Sequence, residues 1–115
     1  MPKPSDFLPL KPGDFHILMT LLDCDLHGYA IMKAVEEETG GKVVLEVGSL
    51  YRLLGRLLDT GLLESAVSPP DEADERRKYY RITPLGREVA RAEAVRLAEV
   101  MNVVRSKRLL SSLGS

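Results

Sequence analysis

Residues 47–60 read VGSLYRLLGRLLDT and predict a helix with two distinct faces. At about 100° per residue, the leucines gather on one side and form a stripe that is expected to face the core. The opposite side holds the residues within about 60° of Arg52, which are Gly48, Ser49, Gly55, Arg56 and Asp59. Glycine inside a helix costs roughly 1 kcal/mol relative to alanine, so Gly55 indicates that another molecule approaches this face closely.

The polar face of this helix carries groups suited to nucleic acid. Arg52 and Arg56 lie one turn apart, where they can reach guanine edges or phosphates. Ser49, near the start of the helix, can donate to a phosphate beside the unpaired backbone N–H groups. Tyr51 lies at the flank and is predicted to donate its hydroxyl to the DNA backbone. A solvated arginine face and a tyrosine at the edge of the core are the structural alternatives.

Two shorter helices are predicted before this one. Asp14 is expected to cap the first, over residues 14–23, and apolar residues at helical spacing predict the second over residues 29–39. Four of the seven prolines fall within residues 1–13, which are therefore expected to form an irregular N-terminal arm.

After the third helix the pattern changes to two β-prone runs, residues 62–68 and 78–83, joined by a long charged segment. They predict a two-stranded ribbon with a mobile tip. Tyr79 and Tyr80 alternate along the second run, so one is expected in the core and the other outside. The ribbon would meet flanking phosphates through its basic residues Arg76, Arg77 and Lys78. Alternatively, these cations balance the four acidic side chains of residues 71–75.

A final helix is predicted to begin with Thr83 as its N-cap and Pro84 at its first position, and to extend to about Leu110. Its apolar residues are spaced four, three, four and three apart, which is a heptad seam. The seam consists of Ala90, Ala94, Leu97, Met101 and Val104. It predicts a homodimer; the alternative is that the helix folds back on the first helix.

Three helices followed by a ribbon are the element order of a winged helix-turn-helix, so the fold class is predicted as mainly α with a small β-ribbon. The expected divisions are an arm over residues 1–13, a DNA-binding domain over 14–83, and a dimerisation helix and tail over 84–115. In such folds the recognition helix enters the major groove, and here that helix is the third one.

Composition and charge narrow the function classes. The 115 residues suffice for one domain, and no apolar run is long enough to span a membrane. The net charge is −1, yet residues 1–75 carry a net −8 and residues 76–108 a net +7, an asymmetry that suits a polyanionic partner. The single cysteine, Cys24, excludes an internal disulfide and favours the cytoplasm. We expect that the protein is not an enzyme and binds no cofactor, because the sequence has no serine or cysteine in a recognisable nucleophile pattern with a histidine and a carboxylate. Cys24 and His27 could bind a metal ion, but the favoured interpretation is that Cys24 is a buried thiol and His27 caps the second helix.

Five short motifs follow one another along residues 27–86. They read HGYAIM (27–32), GSLYRLL (48–54), RLL (56–58), GLLE (61–64) and RKYYRITPLG (77–86). In this order and at these spacings they closely resemble the PadR family of bacterial transcriptional regulators, and the resemblance covers about residues 8–104.

The resemblance implies a homodimeric winged-helix repressor of the short type, with double-stranded DNA as its partner and one C-terminal helix for dimerisation. It also implies release from an inverted-repeat operator by a small molecule, often phenolic or drug-like. The chain has no tryptophan, so the tryptophan-stacked drug pocket of some relatives cannot be present in that form. Phe15, Met19 and Met101 are candidates to line a cavity at the dimer interface, if they do not belong to the core. The alternative function is a winged-helix module that binds a protein, which the net charge of −1 favours.

Overall fold

The computed structural model describes residues 2–110, and residues 111–115 of the predicted C-terminal tail lie outside the described part. Four helices and three short strands follow a 3-10 turn at Pro4–Phe7. The helices are α1 (Pro12–Thr20), α2 (Gly28–Glu38), α3 (Val47–Asp59) and α4 (Pro84–Ser106). The strands are β1 (Leu26–His27), β2 (Leu63–Ala66) and β3 (Tyr79–Ile82), which form an antiparallel sheet in the order β1-β3-β2. This is the expected winged helix-turn-helix with a long C-terminal helix, mainly α with a small sheet. Within residues 2–110, none of the helices has the length and apolar character needed to cross a membrane.

The leucine face of α3 forms the centre of the core, as its periodicity predicts. Leu50, Leu54 and Leu57 are each at most 2% exposed. They belong to one apolar cluster with side chains of α1 and α2 that are completely buried, namely Ile17, Leu18, Ile31 and Val35. Because the apolar stripe of α3 is fixed in this cluster, its polar face is turned towards solvent.

The carbonyl of Leu62 joins the end of the helical part to the sheet and to α4. It accepts a hydrogen bond from the Thr83 backbone N–H at 3.1 Å. The Thr83 hydroxyl donates to the Gly61 carbonyl at 2.7 Å and accepts from the Gly86 N–H at 2.9 Å, which caps α4 as predicted. A Cβ at Gly86 would lie only 2.2 Å from the Leu62 oxygen, so only glycine allows this close approach.

Helix α1 begins and ends earlier than the sequence predicts. Its N-cap is Lys11 and its first residue is Pro12, whose missing N–H costs nothing at that position. The expectation that Asp14 caps this helix is therefore wrong: Asp14 lies within the first turn and is buried. The helix ends at Thr20 rather than Asp23.

Strand β1 is missing from the sequence prediction, because two residues are too few to show an alternating pattern. It pairs with β3 on the side opposite to β2, with His27 facing Tyr79 and Leu26 facing Tyr80. The expectation that one of the two tyrosines faces outward is also wrong, since Tyr79 is 7% and Tyr80 4% exposed. Tyr79 is covered by the His27 ring, whose centroid lies 5.4 Å away, and by Glu72 of the segment between β2 and β3.

The first half of α4 is covered by the chain itself. The 3-10 turn and α1 pack against it, and Ala90 is 4% exposed within the core. Ala90 therefore does not lie on a surface that a second chain can touch, unlike the exposed Ala94 further along the predicted seam. Helix α4 ends at Ser106, four residues before the predicted end, and its second half exposes the valines Val95, Val100 and Val103.

A buried carboxylate attaches the N-terminal arm to α4. Glu93 is 2% exposed; it accepts a hydrogen bond from the Leu10 N–H at 3.1 Å and pairs with Arg96 at 2.5 Å. The hydrogen bond from Arg96 holds the pKa of Glu93 below its ordinary value. The ionised carboxylate thus contributes to the stability of the packed arm.

We expect Glu93→Gln to lower the free energy of unfolding near pH 7 by about 1–3 kcal/mol, because Arg96 loses its charged partner. A carboxyl group whose pKa is lowered by folding stabilises the fold above its unfolded pKa of about 4.3 and loses this contribution as pH falls through the folded value. Urea unfolding of both proteins should therefore show a difference near pH 7 that shrinks below about pH 4. An equal difference at both pH values would contradict this role.

Candidate nucleic-acid interface

The exposed face of α3 carries an arginine without an ion-pair partner and two glycines, where no side chain covers the backbone. Arg52 is exposed, and no carboxylate of residues 2–110 forms an ion pair with it. Apart from the chain neighbours and the backbone of α3 itself, no atom of residues 2–110 lies within 4 Å of the position that a Cβ would occupy at Gly48 or Gly55. A flat ligand surface can therefore approach the helix closely on both sides of Arg52.

Tyr51 is fixed beside this face by a contact with the start of α2. Its side chain is 51% exposed, and its hydroxyl oxygen lies 2.7 Å from the position of a Cβ at Gly28. Any side chain at residue 28 would displace the tyrosine ring. The contact brings the motif at residues 27–32 against the motif at residues 48–54, although sequence periodicity gave no sign of it. Ser49 is half-buried near the start of α3.

Arg56 has a partner within the protein. Its Nη2 atom donates to both carboxylate oxygens of Asp14, at 2.7 and 2.8 Å. The Arg56 side chain is 38% and that of Asp14 10% exposed. Helix periodicity predicted Arg56 as a cation beside Arg52 that could reach DNA. Its guanidinium is instead turned to α1, because the Asp14 carboxylate is buried and needs a counter-charge.

The segment between β2 and β3, residues 67–78, is the wing of the fold, and its basic residues contact neighbouring groups. Arg76 lies 3.4 Å from Asp74, and its side chain is 93% exposed. Arg77 lies 3.6 Å from Glu72. Acidic residues of the wing therefore pair with these two arginines, as one of the two sequence interpretations held. Lys78 is exposed, with its Nζ atom 5.6 Å from the centre of the Tyr80 ring.

An open groove of about 640 Å³ separates the wing from the helices. Its lining consists of two groups: His27, Gly28, Tyr29 and Tyr51 from the helical part, and Asp74, Arg76, Arg77 and Lys78 of the wing together with Tyr80. Tyr29 is 55% exposed, and Lys33 lies 5.7 Å from its ring. The groove thus combines aromatic hydroxyls with cations, groups that bind phosphates and sugars.

His27 caps α2, as one interpretation of the sequence held. Its Nδ1 atom accepts a hydrogen bond from the Ala30 N–H at 3.2 Å. Burial, with a smaller contribution from the charge of Arg77, lowers the pKa of His27. Cys24 is exposed rather than buried. Across residues 2–110, no three His, Cys, Asp or Glu side chains lie together in a way that could hold a metal ion.

Sequence reasoning missed the partners that hold these groups. Arg81 donates to the Asp25 carboxylate, with the shortest distance 2.9 Å, and thereby joins β3 to the turn before β1. In the sequence, each of Asp14, Asp25, Glu72 and Gly28 lies between 5 and 56 residues from its partner. Only the fold brings these pairs together. The only sign of them in the sequence is that the family motif at residues 27–32 contains Gly28 and that the motif at residues 77–86 contains Arg77 and Arg81.

Comparisons with known proteins agree with this geometry. The model of the "Transcriptional regulator PadR-like family" matches residues 17–92. A crystal structure of a PadR family transcription regulator from Clostridium difficile is 28% identical with a TM-score of 0.71, over 81% of this chain and 94% of that one. The fold is also that of Bacillus subtilis PadR in complex with operator DNA, at 24% identity and a TM-score of 0.61, over 71% and 46% of the two chains.

An uncharacterized protein of a Streptomyces fradiae transposon is 38% identical over 84 residues, which are 73% of this chain. The match spans only 22% of that longer protein.

We expect the two arginines of α3 to differ in their effect on stability. Arg56→Ala should lower the free energy of unfolding by about 1–3 kcal/mol, because it leaves the carboxylate of Asp14 buried without its partner. Arg52→Ala should change it by no more than about 0.5 kcal/mol, as is usual at an exposed position. Chemical denaturation measures both, and Asp14→Ala combined with Arg56→Ala should recover part of the loss. Equal effects of the two single substitutions would mean that the Asp14 pair does not support the fold.

Proposed function

Since the chain belongs to the PadR-like family of transcriptional regulators, we propose that it is a cytoplasmic, homodimeric repressor that binds an inverted-repeat operator in double-stranded DNA and is released by a small molecule. The observation that carries the DNA-binding part is the exposed face of α3, where Arg52 stands free between two open glycines. A guanidinium in such a position can donate to the O6 and N7 atoms of a guanine in the major groove.

The remaining contacts are assigned by position. Ser49 donates to a phosphate near the start of α3, and Tyr51, oriented by Gly28, donates its hydroxyl to the DNA backbone. Lys78 is available for a flanking phosphate, whereas Arg76 and Arg77 first have to leave their acidic partners in the wing. Arg56 is not proposed as a base-reading residue, because its guanidinium is engaged by Asp14.

We assign the dimer contact to the second half of α4. The half-buried side chains of Leu97, Met101 and Val104 continue the predicted seam past the part of the helix that the arm covers. Ala94 begins this accessible part. Pairing two such helices would remove the apolar surface of these three seam residues from water, which is favourable by roughly 25 cal/mol per Å² of apolar area.

The proposed effector would bind where α1 and α4 of the two chains meet. Phe15, Met19 and Met101 are each half-buried there, so they combine apolar surface with access from outside. Methionine and phenylalanine suit an aromatic ligand, because a polarisable thioether packs well against a ring.

Selection of bound duplexes from a random DNA pool at about 0.15 M salt tests the function, since specific sites bind at roughly 10⁻⁸–10⁻¹¹ M. We expect an inverted repeat whose half-sites lie about 34–36 Å apart, or a multiple of that distance. Arg52→Ala should then cost about 1–3 kcal/mol of binding and relax the preference at one base pair. Lys78→Ala should weaken binding to all sequences alike.

The absence of any enriched sequence would contradict a specific operator. In that case the salt dependence of binding distinguishes the protein-binding alternative. A dimer that neutralises several phosphates loses on the order of 10³-fold in affinity between about 50 and 200 mM salt, whereas a protein partner shows a much shallower dependence.

The dimer is tested at the centre of the seam. Leu97→Asp places a charge in the apolar contact between two α4 helices, and we expect the variant to sediment as a monomer where the parent chain sediments as a dimer. Ala94→Ser, a small change at the edge of the same helix face, is the control and should remain dimeric. A dimer that persists in Leu97→Asp would place the interface elsewhere.

A further inference from the structure

Glu72 lies at the centre of the wing and uses both of its carboxylate oxygens. Its Oε2 atom accepts a hydrogen bond from the Tyr79 hydroxyl. Its Oε1 atom accepts from the Asp74 N–H at 2.9 Å and lies 3.6 Å from Nη1 of Arg77. The Glu72 side chain is only 8% exposed, so it is a built part of the wing rather than a solvated surface acid.

The contacts keep Glu72 charged. The hydrogen bond from Tyr79 lowers the pKa of Glu72, so the group is an anion at neutral pH. An ionised carboxylate resembles a phosphate in the groups that it attracts, since both accept from a guanidinium. Glu72 therefore occupies the place next to Arg77 that a DNA phosphate would need.

His27 cannot take over the role of Glu72. The Nε2 atom of His27 lies 3.2 Å from Nη1 of Arg77, but the lone pair on Nδ1 already accepts from the Ala30 N–H. A neutral imidazole has one acceptor nitrogen, and the other carries a hydrogen. Two donors thus face each other, and Glu72 is the acidic partner that holds Arg77 within the described part of the chain.

We propose that Glu72 is an intramolecular competitor of DNA, which holds Arg77 in the free protein and must release it before the wing can bind a phosphate. The separation of 3.6 Å is too long for a good hydrogen bond, so a phosphate that offers one can displace the carboxylate. The cost of the exchange lowers the affinity for every DNA sequence, because phosphate contacts carry no sequence information. This inference rests on the proposed function.

The wing offers a matched control for the test. Glu75 lies three residues from Glu72, is exposed and forms no ion pair within residues 2–110. Glu72→Gln and Glu75→Gln each remove one negative charge from the same segment, so their difference separates the specific pair from general electrostatics. Glu72→Asp keeps the charge but shortens the side chain, which lengthens its distance to Arg77 as well as to its partners Tyr79 and the Asp74 N–H.

Binding is measured by fluorescence anisotropy with a duplex of mixed sequence, between about 0.05 and 0.2 M salt. We expect Glu72→Gln to bind roughly threefold to tenfold more tightly than Glu75→Gln at each salt concentration, because Arg77 no longer has to leave a carboxylate before it reaches a phosphate. Glu72→Asp should also bind more tightly than the parent chain. In an Arg77→Gln background the difference between the two glutamine variants should vanish, and unfolding by urea verifies that every variant is folded.

Equal affinities of Glu72→Gln and Glu75→Gln would overturn the inference, as would weaker binding by Glu72→Gln, which would mean that Glu72 orders the wing for DNA. A difference that persists without Arg77 would overturn it as well. If the parent chain and both glutamine variants bind no duplex even at low salt, the proposed function fails instead. The two failures are therefore distinguishable.

Discussion

The carbonyl of Leu62 is the point on which the arrangement of the whole chain depends. The N–H and hydroxyl of Thr83 are tied to it and to the neighbouring Gly61 carbonyl, and Gly86 packs directly against it. This junction holds the end of α3 and the start of β2 against the end of β3 and the start of α4. Together with the shared apolar cluster of α3, the sheet and α4, it sets where the exposed face of α3, the wing and α4 lie in the fold.

Ion pairs across the fold join oppositely charged side chains, most of them from distant parts of the sequence. Arg56 pairs with Asp14 and Arg81 with Asp25, while Arg77 faces Glu72 within the wing. The excess of acid in residues 1–75 and of base in residues 76–108 is thus partly neutralised inside the molecule. Arg52 remains outside these pairs. A chain with a net charge of −1 can therefore still present a cation where the proposed DNA contact requires one.

The sequence predicted the fold well wherever a helix or strand shows its own period. The leucine face of α3 and the cap at Thr83 are local patterns, and the order of the helices and of the two longer strands followed from such patterns. The errors concern partners across space. Asp14 has the usual character of a helix cap, but the guanidinium that makes its burial possible lies 42 residues away. Strand alternation predicted that one of Tyr79 and Tyr80 is exposed, but Glu72 of the wing covers Tyr79. Ala90 matches the heptad spacing, but it is buried where the N-terminal arm and α1 pack against α4.

The glycines of this chain divide into two kinds, with a consequence for how its target could change. A larger side chain at Gly86 would clash with the Leu62 carbonyl, and one at Gly28 would displace the ring of Tyr51. Gly48 and Gly55 face open space, and Arg52 between them has no partner to lose. Substitutions on this face leave the core untouched. If the face reads DNA, new operators are accessible through single changes at three neighbouring positions, with no compensating mutation needed to keep the protein folded; retargeting of this regulator, in evolution or in the laboratory, would begin there.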